Sequence, residues 1–257
     1  MTVWTVLYKK EMKELWRSRK WVWVPLVFVL LGISQPVASY YMPDILQAAG
    51  GFPEGTVIEI PKPTTAEVLG QTLSQYGTIG VLILVLSLMG VVSAERASGA
   101  ASLVLVKPVS YASYLTAKWA GAITLIVVSF TLGYISSWYY SEILIGPIES
   151  GRAVGSLLLY GAWLVFVTTV TVALSAAMKS GGAIAFLSVG SVFALTLLTG
   201  LLERYMRWSP GTLSGHAAAV LKQGEAGPAL SIALAATAAA CVLMLSAALY
   251  AFRRKVM

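Results

Sequence analysis

One cysteine, one histidine and very little charge are spread over the 257 residues. A lone Cys241 cannot close a disulfide within the chain, and a lone His216 without a cysteine cluster leaves no recognisable zinc site. Only 11% of the residues are charged whereas 58% are hydrophobic, and the mean hydropathy is +0.79. A water-soluble domain does not carry that balance, so the chain reads as a membrane protein. The net charge of +7 would suit nucleic acid, but the basic residues gather at the margins of apolar runs rather than in one patch. Phospholipid headgroups are the better counter-charge. No G-x-x-x-x-G-K-[ST] sequence occurs, so the chain has no loop of its own to cradle ATP phosphates.

The apolar runs hold the most informative absence. Six of them, at 21–42, 75–94, 119–140, 153–178, 183–202 and 229–252, approach the ~20 residues that a membrane helix requires. None contains Asp, Glu, Lys, Arg or His away from its ends. Ion-driven carriers need ionisable groups at membrane depth, and an intramembrane hydrolase needs a nucleophile with its base. A membrane enzyme is therefore a poor reading. What the runs offer is hydroxyls. Each can bond the carbonyl one turn back or a neighbouring helix. Together Thr124, Ser129, Thr168, Thr171, Ser188, Ser191 and Thr196 are the candidates to line a path for an amphipathic substrate. The alanines between Ala233 and Ala240 give the last run a smooth surface for close helix packing.

Aromatic pairs mark where interfaces should fall: Trp21 and Trp23 against Tyr40 and Tyr41, and Trp119 against Trp138, Tyr139 and Tyr140. The connections fix orientation. Thirteen Lys and Arg lie on one side, from Lys9 through Arg96, Lys107, Lys118 and Lys179 to Lys255, against five on the other. By the positive-inside rule both termini and residues 95–118 are cytoplasmic, in the plasma membrane. A basic start followed by "PVAS" at 36–39 resembles a signal peptide, but Glu11 and Glu14 interrupt its basic region, so the first span is expected to stay.

Residues 1–20 read as a cytoplasmic amphipathic helix, followed by a single six-span domain over 21–257. Trp4, Leu7, Tyr8, Met12, Leu15 and Trp16 recur at helical spacing, with Lys9, Lys10, Lys13, Arg17 and Lys20 largely on the other side. The expected membrane-interface set is Trp4, Lys9, Lys10, Lys13, Trp16, Arg17 and Lys20, lying on anionic lipid. An outer loop at 43–74 includes an alternating run at 56–60 that is at most a small hairpin or lid. A second, at 203–228, either dips back into the bilayer or lies on its surface.

Between the second and third runs the chain breaks into "ERASGAASLVLVKPVSYASYLTAK", residues 95–118. Glu95 and Arg96 follow the second run, Gly99 comes next, a short apolar run holds Leu103, and Pro108, Val109 and Ser110 form a turn before Lys118. A short helix stopped by proline makes a compact knob joined to two spans, and such a knob can pass a push into the bilayer. The stretch resembles the cytoplasmic coupling loop of type-2 ABC transporter permeases, although Ala100 stands where the family often has Thr. The basic amphipathic start, six spans and the Pro-containing loop before the last extend the likeness over the whole chain.

That resemblance implies an all-α permease subunit of an ATP-driven exporter. Its coupling residues would be Glu95, Arg96, Gly99, Leu103, Pro108, Val109, Ser110 and Lys118. ATP and Mg would be bound by two separate cytoplasmic ATPase subunits and none by this chain, and a second permease copy would complete the pathway. A non-transporting anchor or sensor docking a soluble partner at 95–118 is the alternative. Topology is directly testable. A cysteine placed at Glu59 should react with an impermeant maleimide on intact cells, and one at Ser110 only after the membrane is opened; the reverse pattern inverts the assignment.

Overall fold

The computed structural model describes residues 2–48, 63–99 and 109–256. The expected hairpin at 56–60, together with Leu103, Lys107 and Pro108, lies outside them. Among the described residues the chain is all helical. Six helical segments are long and apolar enough to cross a membrane: Lys20–Pro43, Thr65–Ala97, Tyr111–Leu144, Ser150–Ala177, Gly181–Leu201 and Leu230–Arg254. They correspond to the six apolar runs and are called the first to sixth spans. An N-terminal helix, Val3–Arg17, precedes them, and a further helix, Thr212–Gln223, lies between the fifth and sixth.

Two spans begin earlier than hydropathy alone places them, and both do so at a cap. The second starts at Thr65, where Thr64 and Glu67 form a capping box: the Thr64 N–H donates to the Glu67 carboxylate at 2.8 Å, and the Glu67 N–H to the Thr64 hydroxyl at 3.3 Å. The Thr65 hydroxyl then ties this end to the Gly146 carbonyl at 2.6 Å. The third starts at Tyr111, with the Ser110 hydroxyl accepting from the Ser113 N–H at 3.1 Å. Its 34 residues make about 51 Å of helix. The hydrocarbon core is only ~30 Å thick, so a helix of this length projects past it.

The first and third spans meet backbone to backbone. A Cβ on Gly133 would lie 2.5 Å from both the Phe28 carbonyl oxygen and the Tyr76 hydroxyl, and a Cβ on Gly32 would collide with the Gly133 carbonyl. Around this crossing sits an aromatic core. Tyr76 stacks on Phe28 at 5.3 Å and meets Phe130 edge-on at 5.6 Å, and Phe130 contacts Tyr160 at 5.3 Å. Tyr76 belongs to a π-helical turn, Tyr76–Gly80, inside the second span. Its hydroxyl donates to the Phe28 carbonyl at 2.8 Å.

The aromatic ruler holds only in part. Trp23, Tyr40, Tyr41 and Tyr139 are exposed, but Trp21, Trp119 and Trp138 pack against the core. Trp119 is drawn inward because its indole N–H donates to the Thr169 hydroxyl at 2.9 Å. The stretch 203–228 contains a helix rather than a plain loop. Its Leu213, Ala217, Val220 and Leu221 are buried against the fourth span and the start of the second. Gly224 ends it at φ +81°, a left-handed conformation that suits glycine. His216 lies on this helix, and partial burial lowers its pKa below the ordinary value.

The glycine crossing yields a direct test. Gly133→Ala forces the first and third spans apart, and overpacking of this kind costs ~1–3 kcal/mol. The apparent Tm of the detergent-purified chain should fall by roughly 2–10 °C. Gly190→Ala, whose Cβ meets nothing within 4 Å, should leave it unchanged.

Candidate functional site

In a chain so poor in charge, three carboxylates and three ammonium groups gather where the N-terminal helix, the end of the second span and the start of the third meet. The N-terminal helix buries one face through Leu7, Glu11 and Leu15, so helical spacing places a carboxylate in the middle of an apolar stripe. The stripe crosses the third span at Gly121, where an added Cβ would stand 3.3 Å from the Glu11 Cβ. Trp4 and Tyr8 extend the contact: the Trp4 indole donates to the Thr116 hydroxyl at 3.2 Å, and the Tyr8 and Thr124 hydroxyls share a hydrogen bond of 3.0 Å.

Glu11 finds its partner in Lys118, 2.9 Å away, and both side chains are buried, at 6% and 1% exposure. Lys118 also reaches Glu95 at 3.1 Å and lies 5.4 Å above the Tyr114 ring. Glu95 accepts further from Lys10 and from the Tyr114 hydroxyl, each at 2.5 Å. Lys10 bridges on to Glu11 at 3.3 Å and Glu14 at 3.2 Å. Lys20 stands within electrostatic reach of Glu14 and Glu11. The carboxylate oxygens of Glu11, Glu14 and Glu95 lie within 4.8 Å of one another, a spacing that metal ligands also adopt. Here Lys10 and Lys118 supply the positive charge between them. Burial works against the Lys10 ammonium, but the Glu95 hydrogen bond and the Glu11, Glu95 and Glu14 charges outweigh it and hold its pKa above the usual lysine value. The stability this adds is complete below that usual value and is lost only as pH rises through the raised one, so the Lys10 contribution does not change near neutrality.

A second set of contacts fastens the node to the fourth span. The second span breaks after Leu88 and resumes as a short helix, Ser93–Ala97, which leaves backbone groups without helical partners. Ser175 takes them up: its oxygen accepts from the Val92 and Ser93 N–H groups at 3.1 Å, and its hydroxyl donates to the Met89 carbonyl at 2.8 Å. Arg96 donates to the Ala176 and Met178 carbonyls at 2.7 and 2.5 Å. A cation thus caps the negative end of the fourth span. The sixth span joins through Phe252, stacked on Tyr114 at 5.5 Å.

The expected coupling residues therefore divide. Glu95, Arg96 and Lys118, anticipated as charges turned toward a soluble partner, each have a partner within the chain. Gly99 ends the short helix at φ +75°, Val109 packs against the core and Ser110 caps the third span. The two ends of the 100–108 stretch thus leave from one clamped node. Of the interface set, Trp4, Lys9, Lys13, Trp16 and Arg17 are exposed, whereas Lys10 and Lys20 turn inward toward the carboxylates.

The hydroxyls proposed for a path bond locally. Thr124, Ser129, Thr168, Thr171 and Thr196 each donate to the carbonyl four residues back, and Ser191 to that of Ser188. Ser129, Thr168, Thr171 and Ser188 are buried inside the bundle, and Thr124 is held by Tyr8. Among the described residues, Ser191 and Thr196 border cavities of the bundle. Hydropathy and spacing missed Glu11, Glu14 and Tyr114; the legible signal was the carboxylate between Leu7 and Leu15.

The chain resembles known proteins over almost its full length. The family described as ABC-2 family transporter protein matches residues 5–206. A curated relative, the uncharacterized transmembrane protein YxlG of Bacillus subtilis (strain 168), is 32% identical over 254 residues, which is 99% of this chain and 98% of the relative.

The ion network sets a second expectation. Lys118→Met strands Glu11 in a buried site and should cost about 3–5 kcal/mol, read as a loss of apparent Tm and of monodisperse protein in detergent. Adding Glu11→Gln removes the stranded charge and should restore part of that loss. Additive damage from the two changes would show that the pair does not act as one.

Proposed function

We propose that the chain, which belongs to the ABC-2 family of transporter proteins, is the membrane-spanning permease subunit of an ATP-driven exporter of an amphiphilic substrate. Two copies, or this chain and a related permease, form the pathway in the plasma membrane with both termini cytoplasmic. Two cytoplasmic ATPase subunits bind ATP and Mg and supply the stroke.

The observation that carries this reading is the clamped node. Residues 100–108 are flanked by Ser93–Ala97 on one side and the capped start of the third span on the other, and both flanks are bound into a single ion and hydrogen-bond network. A displacement applied to the loop reaches the second and third spans through Glu95 and Lys118, and the fourth through Arg96. Rigid struts with matched partners transmit such a displacement without dissipating it in side-chain motion. ATP-driven closure of the ATPase pair then biases the paired bundles between inward- and outward-favouring states. In this mechanism the loop meets the ATPase, and Glu95 and Arg96 pass the movement on.

Purification from native membranes in mild detergent should bring a P-loop ATPase with the chain. In the reconstituted complex, Glu95→Gln with Arg96→Ala should lower ATP-driven movement of a labelled amphiphile several-fold while the ATPase stays bound. Full transport by a well-folded double variant would remove these residues from coupling. ATPase binding with no movement of any amphiphile would favour a sensor or anchor.

A further inference from the structure

We propose that the cavity bounded by the second, fourth and fifth spans and the helix Thr212–Gln223 binds a neutral amphiphile, one of whose oxygens accepts a hydrogen bond from Tyr160. This names a substrate class for the transport reading and rests on it for its meaning.

The cavity holds about 580 Å³, within the range of small-molecule sites. None of its lining residues is charged. A charged ligand would lose its hydration there and gain no counter-ion, which is prohibitive for an ion. Apart from the Trp163 indole, the polar side chains of the lining are hydroxyls, and several of their protons are already committed. Thr78 donates to the Gln75 carbonyl at 3.1 Å, Thr196 to Val192 at 3.0 Å and Ser214 to Gly211 at 3.1 Å.

Tyr160 differs. Its side chain is 1% exposed, its ring is fixed against Phe130 at 5.3 Å, and its hydroxyl has no hydrogen-bond partner among the described residues. The other fully buried tyrosines are all paired: Tyr76 with the Phe28 carbonyl, Tyr114 with Glu95 and Tyr134 with Ser156. A buried donor left without an acceptor is costly and rare, so an orphan on a cavity wall asks for a partner that the chain does not supply.

Gly77 leaves space beside that buried donor: a Cβ there would lie 3.4 Å from the Tyr160 oxygen, and a longer side chain would fill it. Gly77 sits in the π-helical turn Tyr76–Gly80, a distortion that frequently accompanies functional sites. Gly70 and Gly215 widen the space, since a Cβ on either meets nothing within 4 Å. Leu82 and Phe193, 45% and 61% exposed, flank the cavity on the second and fifth spans, so a molecule dissolved in the bilayer can enter from the side. Gly77 and Glu95 are roughly 27 Å apart along the second span, and Tyr160 and Ala176 share the fourth. Both spans therefore run from the cavity to the charged node.

Binding can be tested without the ATPase, so failure here and failure of the transport reading are separable. The full chain in phosphatidylcholine nanodiscs is irradiated with 4-decyloxybenzophenone, whose ketone is the acceptor, and the adducts are mapped by peptide sequencing. Adducts should concentrate on residues 70–82 and 160–163. Tyr160→Phe should weaken labelling about fivefold, the worth of one buried hydrogen bond, with thermal stability equal to or above that of the parent because an orphan donor is gone. Gly215→Leu, which fills the space, should abolish it. Unchanged affinity in Tyr160→Phe would overturn the assignment. So would adducts spread over outward residues such as Phe186 and Leu243, or equal labelling by a trimethylammonium-tipped analogue.

Discussion

The buried pairing of Lys118 with Glu11 and Glu95 is the constraint on which the rest of the molecule hangs. Each ion alone would be intolerable at 1%, 6% and 11% side-chain exposure, so each fixes the position of the others. Glu11 brings the N-terminal helix, Glu95 the end of the second span and Lys118 the third. The long third span is needed for this, because only a helix that projects past the hydrocarbon can carry a lysine to the charges without immersing it in lipid. The N-terminal helix is thereby part of the bundle's frame.

Hydropathy read the fold well and the site poorly, for one physical reason. A span announces itself by what it excludes from a window of about 20 residues, and all six runs did so. Charges near span ends are equally visible but ambiguous, since topogenic, partner-binding and buried pairs use the same residues. The loop likeness singled out Glu95, Arg96 and Lys118 but not their partners within the chain, because pairing depends on which helices meet in space. Glu11 was the exception: a carboxylate between Leu7 and Leu15 on one helical face cannot be solvated by that face and must have a buried partner. Serine and threonine carried less information than their number suggested. Hydroxyls that bond their own helix are silent about any pathway.

The second span departs from a regular helix twice, and the two departures face different tasks. At Leu88 the helix breaks, and Ser175 absorbs the freed backbone groups. Ser93 shares the task, its hydroxyl donating to the same Met89 carbonyl at 3.1 Å, so the break is pinned from both sides. At Tyr76–Gly80 the helix widens by a π turn that includes Gly77 beside Tyr160, while Tyr76 stays anchored to Phe28. One element thus carries a pinned break at its charged end and a π turn at its apolar end, with packed helix between.

Among the buried polar atoms left without a partner, those of Arg96, Ser141, Tyr160 and Ser188, the proposed site gives the Tyr160 donor a role. A site that moves an amphiphile must not hold it too firmly in every state. One hydrogen bond in an uncharged cavity discriminates between an oxygen-bearing amphiphile and a bare acyl chain, yet is weak enough to be broken when the walls shift. An ion pair at the same place would bind more strongly and release less readily. In the proposed mechanism the ions stand where rigidity transmits force, and the Tyr160 hydroxyl stands where selectivity must remain reversible; that division follows from the dielectric cost of moving a charge through lipid.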